Sequence, residues 1–143
     1  MLREGKSERE LIRLRVPLII GIEDERPVEL TFTSTWLSTT HHFTYGFRES
    51  DEGYRFLVFL IQARNLGPRT VTPVIVEGFE VLADNGYIYS EIDSPTFGLR
   101  PGESKVDYLI FEILSSVNPV QLVWNDRSRC RKFVMDLREE YLS

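Results

Sequence analysis

Residues 54–63 read YRFLVFLIQA. In an extended chain Phe56, Val58 and Leu60 fall on one face, and Leu57, Phe59 and Ile61 on the other. Apolar residues on both faces describe a central strand covered on both sides. One face has to meet a core. The other needs a cover, from the N-terminal segment or from a second subunit.

The flanking stretches follow the same logic. Residues 28–37, VELTFTSTWL, alternate: Val28, Leu30, Phe32 and Trp36 share a face, while Glu29, Thr31, Thr33 and Thr35 share the other. That pattern predicts a half-buried antiparallel strand with its threonine face in water. Between the two strands, residues 38–53 read STTHHFTYGFRESDEG, polar with interleaved aromatics. A long connection of this kind is expected to be a functional or mobile loop.

Downstream, RNLGPRTVTP (64–73), ADNGYIY (83–89) and LRPGES (99–104) are turn signals. Residues 74–83 predict a strand with Gly78 at a bulge or a close approach. Asn85-Gly86 predicts a type I′ hairpin turn, and Pro101-Gly102 a type II turn. Residues 106–113, 120–124 and 132–137 complete the strands. Upstream, Ile12, Leu14 and Val16 alternate with Arg13 and Arg15, which predicts an extra edge strand over residues 11–22. Ser7 and Glu10 have capping-box spacing, so a short helical turn over 8–14 is the alternative there. The sum is an all-β, immunoglobulin-like antiparallel β-sandwich of about seven to nine strands. Residues 1–27 form an N-terminal extension or extra edge strand, and residues 28–143 the domain.

A chain of 143 residues suits one domain with a real core. Its formal charge of −5 argues against nonspecific nucleic-acid binding, which needs many cations on one face. The single cysteine, Cys130, permits no intrachain disulfide and suits a reducing compartment. The N-terminal stretch MLREGKSERELIRLR has no uninterrupted apolar run and no small-residue cleavage site. VPLIIGI is too short to span a bilayer. The expectation is a cytoplasmic protein as the chain stands, or an exported one if a leader was removed, with no membrane span.

From about Val28 to Leu137 the ordered signals resemble the DUF4352 family. They are Asn65-Leu66-Gly67, Phe79-Glu80-Val81, Gly86-Tyr87-Ile88-Tyr89, Leu99-Arg100-Pro101-Gly102-Glu103 and Phe111-Glu112-Ile113. The chain departs from that pattern at Ala83, where the family has Asp, and at Leu114, where it has Pro. The resemblance implies an immunoglobulin-like sandwich related to secreted, immunoprotective-type antigens. It implies no particular activity.

Candidate functional residues are few. His41 and His42 are the only histidines, and on a strand they would point to opposite faces; in a loop they could share one metal with Asp51 or Glu52 as a third ligand. Arg127, Arg129, Arg131 and Lys132 surround Cys130 and suggest an anion site or an activated thiol, against a plain solvated hairpin loop. Phe43, Tyr45, Phe47 and Tyr54 suggest a ligand groove, or else a strand with Phe43, Tyr45 and Phe47 packed on one face. Glu91 and Asp93, near Asp84 and Asn85, are weak calcium candidates. No catalytic motif appears, and neither a cofactor nor a metal is expected. The expected function is a noncatalytic binding or protein-interaction module, self-associating, whose ligand or partner contacts are His41, His42, Phe43, Tyr45, Arg127, Arg129, Arg131 and Lys132. The alternatives are a metal-binding carrier using His41 and His42, and a small thiol or hydrolytic enzyme using Cys130.

Overall fold

The computed structural model describes residues 9–22, 25–43 and 46–138. In chain order its strands are β1 (Arg9–Leu11), β2 (Leu18–Ile20), β3 (Val28–Ser38), β4 (Thr40–Phe43), β5 (Gly46–Glu49), β6 (Tyr54–Asn65) and β7 (Val71–Ile75). They continue as β8 (Phe79–Ala83), β9 (Ile88–Ser90), β10 (Thr96–Leu99), β11 (Ser104–Leu114), β12 (Pro119–Asp126) and β13 (Arg131–Asp136). A five-stranded sheet, β1-β13-β12-β8-β9, faces a four-stranded sheet, β11-β6-β3-β2. Two short pairs, β7–β10 and β4–β5, complete the β-sandwich.

The long strand β6 is central, between β3 and β11, as its two apolar faces require. Leu57, Phe59, Ile61 and Ala63 enter the core between the sheets. There Phe59 meets Phe32 and Phe111 edge to face, at 6.4 and 6.0 Å between ring centroids. Such quadrupole-aligned contacts add to the area term, which is about 1.5–3 kcal/mol per buried large side chain. From the facing sheet, Phe79, Trp124 and Phe133 stack across three adjacent strands at 5.0 and 4.8 Å. The Arg131 guanidinium closes that stack, 4.7 Å from the Phe133 centroid.

The outer face of β6 carries a second, smaller core of Phe56, Val58, Ile110 and Phe43, with Trp36 and Tyr108 against it. Its cover is neither the N-terminal segment nor a second subunit. It is the hairpin β4–β5, which corrects the reading of residues 38–53 as a loop. The reason is local: His41 and Phe43 face inward from one arm, so a stretch that reads as polar overall still has an apolar side.

Strand β3 departs from strict alternation. Phe32 pairs with Ile61 and Ser34 with Leu60, so Thr33 is the extra residue of a β-bulge. Its Oγ1 donates to the Leu60 carbonyl at 3.2 Å. One extra residue inverts the facing of everything after it. Trp36 therefore lies on the outer face with Val58, not with Phe32, and Thr35 does not share a solvent face with Thr31.

The N-terminal segment is not one edge strand over 11–22, and Arg9–Leu11 is extended rather than helical. It splits at a turn where Arg15 takes φ 66°, followed by Pro17. β1 joins β13 in parallel, the exception among the described strand pairs, and β2 joins β3 antiparallel in the other sheet. Ser7 lies outside the described residues.

Three turn expectations resolve differently. Gly102 takes φ 77° and Glu103 N–H donates to the Arg100 carbonyl at 2.9 Å, as the Pro-Gly turn requires. Only Gly86 of the Asn85-Gly86 pair has a positive φ, and its N–H donates to the Ala83 carbonyl. That is a three-residue loop with a bulge, not type I′. At Gly78 the strand expected over 74–83 breaks, because β7 and β8 belong to different sheets. A Cβ there would lie 2.7 Å from the Asn125 carbonyl oxygen, which is the close approach that glycine permits.

Candidate functional site

The hairpin positions its histidines on opposite sides. Register pairs His41 with Arg48 and His42 with Phe47. His41 packs inward, 4.6 Å from the Tyr108 ring and 5.2 Å from Phe43. His42 faces solvent beside Phe47 at 5.0 Å. Phe43 is buried on Phe56 and Phe47 is exposed, so these two do not share a face: the chain reverses between them. Tyr45 lies outside the described residues. Among the described residues no group of three or more His, Cys, Asp or Glu side chains could hold a metal ion.

The basic run is divided among several duties. Arg131 is a structural clamp: its Nε and Nη2 donate to both carboxylate oxygens of Glu10 at 2.8 and 2.7 Å, and its Nη1 to the Ile19 carbonyl at 2.7 Å. One side chain thus ties β1 and the opposite sheet's edge strand β2 to β13. The paired guanidinium holds the Glu10 carboxyl below its ordinary range, with burial opposing. Arg129 pairs with Asp126 at 2.8 Å. Lys132 sits half-buried in β13, opposite Asn125. Arg127 is exposed on a 3₁₀ turn, Arg127–Arg129. Cys130 follows in the left-handed conformation with an exposed thiol, 3.8 Å from the Arg127 carbonyl oxygen. It lies in the β12–β13 connection of the five-stranded sheet, whereas His41 and His42 lie on the hairpin β4–β5 packed on the outer face of the other sheet. The sandwich core separates them, so no Cys–His pair forms.

The 3₁₀ turn forms one wall of a recess of about 620 Å³. Its lining comprises Glu77 to Glu80, flanked by Ser90 and Glu91 on the β9 side and by Asn125, Asp126, Arg127 and Arg129 on the β12 side. The Gly78–Asn125 approach, with Asn125 N–H donating to the Gly78 carbonyl at 3.1 Å, joins the β8 and β12 sides of the recess. Glu91 Oε1 accepts the N–H groups of Gly78 and Phe79 at 2.9 and 3.4 Å. Its Oε2 is buried and accepts no hydrogen bond. Burial pushes the Glu91 carboxyl above its ordinary range, the two N–H donors oppose this, and the Glu77 charge adds to it. The sequence offered Glu91 only as a calcium candidate with Asp93, Asp84 and Asn85. Two of those groups are spent elsewhere: Asp84 accepts from Asn118, and Asn85 Oδ1 from the Tyr87 N–H. The signal that could have found the recess was Gly78 beside Glu77.

The motifs of the family resemblance hold the fold together. Asn65, fully buried, donates from Nδ2 to the carbonyls of Arg69 and Leu99, and its Oδ1 accepts from Gly67 N–H. Its backbone bonds Glu103 and Gly102, so Asn65-Leu66-Gly67 and Leu99–Glu103 lock into one corner.

This architecture defines the protein as a β-sandwich protein. No family model matches the chain, and no curated protein does. Solved structures do. An uncharacterised β-sandwich protein of Clostridium difficile 630 superposes with TM-score 0.67 at 13% identity, over 96% of this chain and 99% of that one. MPT63, a secreted protein of Mycobacterium tuberculosis, gives 0.61 at 13% identity, over 92% and 99%. The yjhA protein of Bacillus subtilis gives 0.53 at 11%, over 87% and 98%. Likeness at this identity establishes the shared fold. No helix among the described residues is long and apolar enough to cross a membrane.

Proposed function

We propose that the protein is a noncatalytic binding module, an immunoglobulin-like sandwich of the DUF4352 type, working through the recess between Glu77–Glu80 and Asn125–Arg129. The observation that carries this reading is Glu91, which lines an open recess and whose buried Oε2 accepts no hydrogen bond. Four lining carboxylates outnumber two arginines, and one of those arginines already faces Asp126. That balance favours a cation over the anion suggested by the basic run. A lysine or arginine side chain of a protein partner supplies both the charge and the missing donor. Titrating isotope-labelled protein with an arginine-containing peptide, and with its citrulline counterpart, tests this. The arginine peptide should shift the Gly78 and Phe79 amides; the citrulline peptide should not, and Glu91→Gln should abolish the shift. Equal shifts with both peptides, or none, would overturn the reading.

Self-association is a second reading, favoured by the edge strand β9 and its neighbour. There Tyr87 and Ile88 are 64% and 58% exposed. Light scattering across micromolar concentrations checks it: a constant monomer mass excludes it.

A further inference from the structure

The hairpin β4–β5 pairs with itself alone and shares no strand ladder with either main sheet among the described residues. It lies against the four-stranded sheet through side chains. Phe43 meets Phe56 at 5.5 Å, and His41 meets Tyr108 at 4.6 Å. Arg48 pairs with Glu112 at 3.1 Å, and its guanidinium sits 5.8 and 5.5 Å from the Phe43 and Phe56 centroids. The hairpin's base is a compact hinge: Ser38 Oγ donates to the Thr40 carbonyl, and Ser50 Oγ to those of Thr39 and Tyr54.

Within this contact His41 is the weak point. Its Nε2 is buried and meets no hydrogen-bond partner. The charged group that bears on it from outside the hairpin is Asp93, on the segment that bridges to Ile110; Asp107 on β11 acts in turn on Asp93. Arg48 lies opposite in register, paired with Glu112, and His42 is next in the chain.

We propose that β4–β5 is an acid-released flap: protonation of His41 lifts the hairpin from the four-stranded sheet and uncovers the apolar patch of Phe56, Val58 and Ile110. A neutral imidazole fits edge-on between two aromatic rings, but an imidazolium there gives up water without gaining a donor–acceptor partner. Burial accordingly holds His41 below its ordinary value; Asp93 opposes and His42 assists. Burial and Asp107 raise the Asp93 carboxyl, so its opposing charge fades as the medium is acidified. The lifted hairpin takes up a proton more readily than the docked one. Docking is therefore favoured above the ordinary imidazole value of 6.5 and weakens as pH falls through it toward the depressed one. Both histidines of the chain lie on β4, so the imidazole-range response is expected in the hairpin and not in the main core.

Amide hydrogen exchange at about pH 7.5 and about pH 5.5, corrected for intrinsic exchange, tests the flap. The Thr40–Phe43 and Gly46–Glu49 amides should lose roughly tenfold protection at the lower pH, while those of β6 and β12 keep theirs. His41→Phe, which fills the same aromatic slot, should remove the pH effect; His42→Gln should leave it. Equal or greater hairpin protection at the lower pH would overturn the proposal, because it would mean that an imidazolium–Asp93 contact tightens the flap. So would a pH effect that survives His41→Phe. If that variant does not fold, His41→Leu and the wild-type comparison still decide.

Discussion

The two faces of β6 carry similar side chains yet are closed in different ways. On the inner face Leu57, Phe59 and Ile61 meet a whole second sheet, built largely from residues beyond Phe79. On the outer face Phe56 and Val58 meet a hairpin that lies between β3 and β6 in the same chain region. The inner core closes by sheet-on-sheet packing and contains an aromatic stack three strands wide. Among the described residues the outer core closes by ring edges and the Arg48–Glu112 pair. A doubly apolar strand therefore does not require a partner subunit. A local flap suffices, at lower cohesion and with the capacity to open.

The contrast makes graded predictions. Phe111→Ala, at a fully buried ring edge-on to Phe59, should cost about 3–5 kcal/mol in chemical denaturation, because a cavity remains between two sheets that cannot collapse. An unchanged midpoint would show that the inner core is not the rigid one. Phe43→Ala should cost less, about 1.5–2.5 kcal/mol, because the thin hairpin can settle or lift and leaves little cavity. It should also raise binding of an apolar dye, which Phe111→Ala in its folded population should not. If Phe43→Ala matched Phe111→Ala, the two cores would be one cooperative unit. The smallest effect belongs to Arg48→Met, which keeps the apolar stem and removes the pair with Glu112. About 0.5–1 kcal/mol is expected, since Arg48 is 34% exposed and solvent screens the pair. Its melting temperature should approach the wild type's in high salt.

Local chemistry was legible without the fold. The strands β3, β6, β11, β12 and β13 follow from alternation and β-branched or aromatic content, and the Pro101-Gly102 turn from its φ requirement. Gly78 was recognisable as a close approach, though not as the break between sheets. Part of the candidate site was visible as well: Arg127 and Arg129 were singled out, but as anion ligands. Their carboxylate neighbours Glu77, Glu80 and Glu91 arrive from about 40 residues earlier in the chain, and no spacing rule reports that distance.

The sequence by itself determined an all-β sandwich, its central doubly apolar strand and the absence of an intrachain disulfide, because side-chain period and composition are properties of each segment alone. Only the tertiary structure decided what covers each face. A single inserted residue, Thr33, moved Trp36 to the outer core, because two-residue periodicity has no memory across a bulge. The bidentate hold of Arg131 on Glu10 sent the N-terminal segment into both sheets, and that pairing spans 121 positions. Contacts of that range depend on where whole strands lie, which no local pattern encodes.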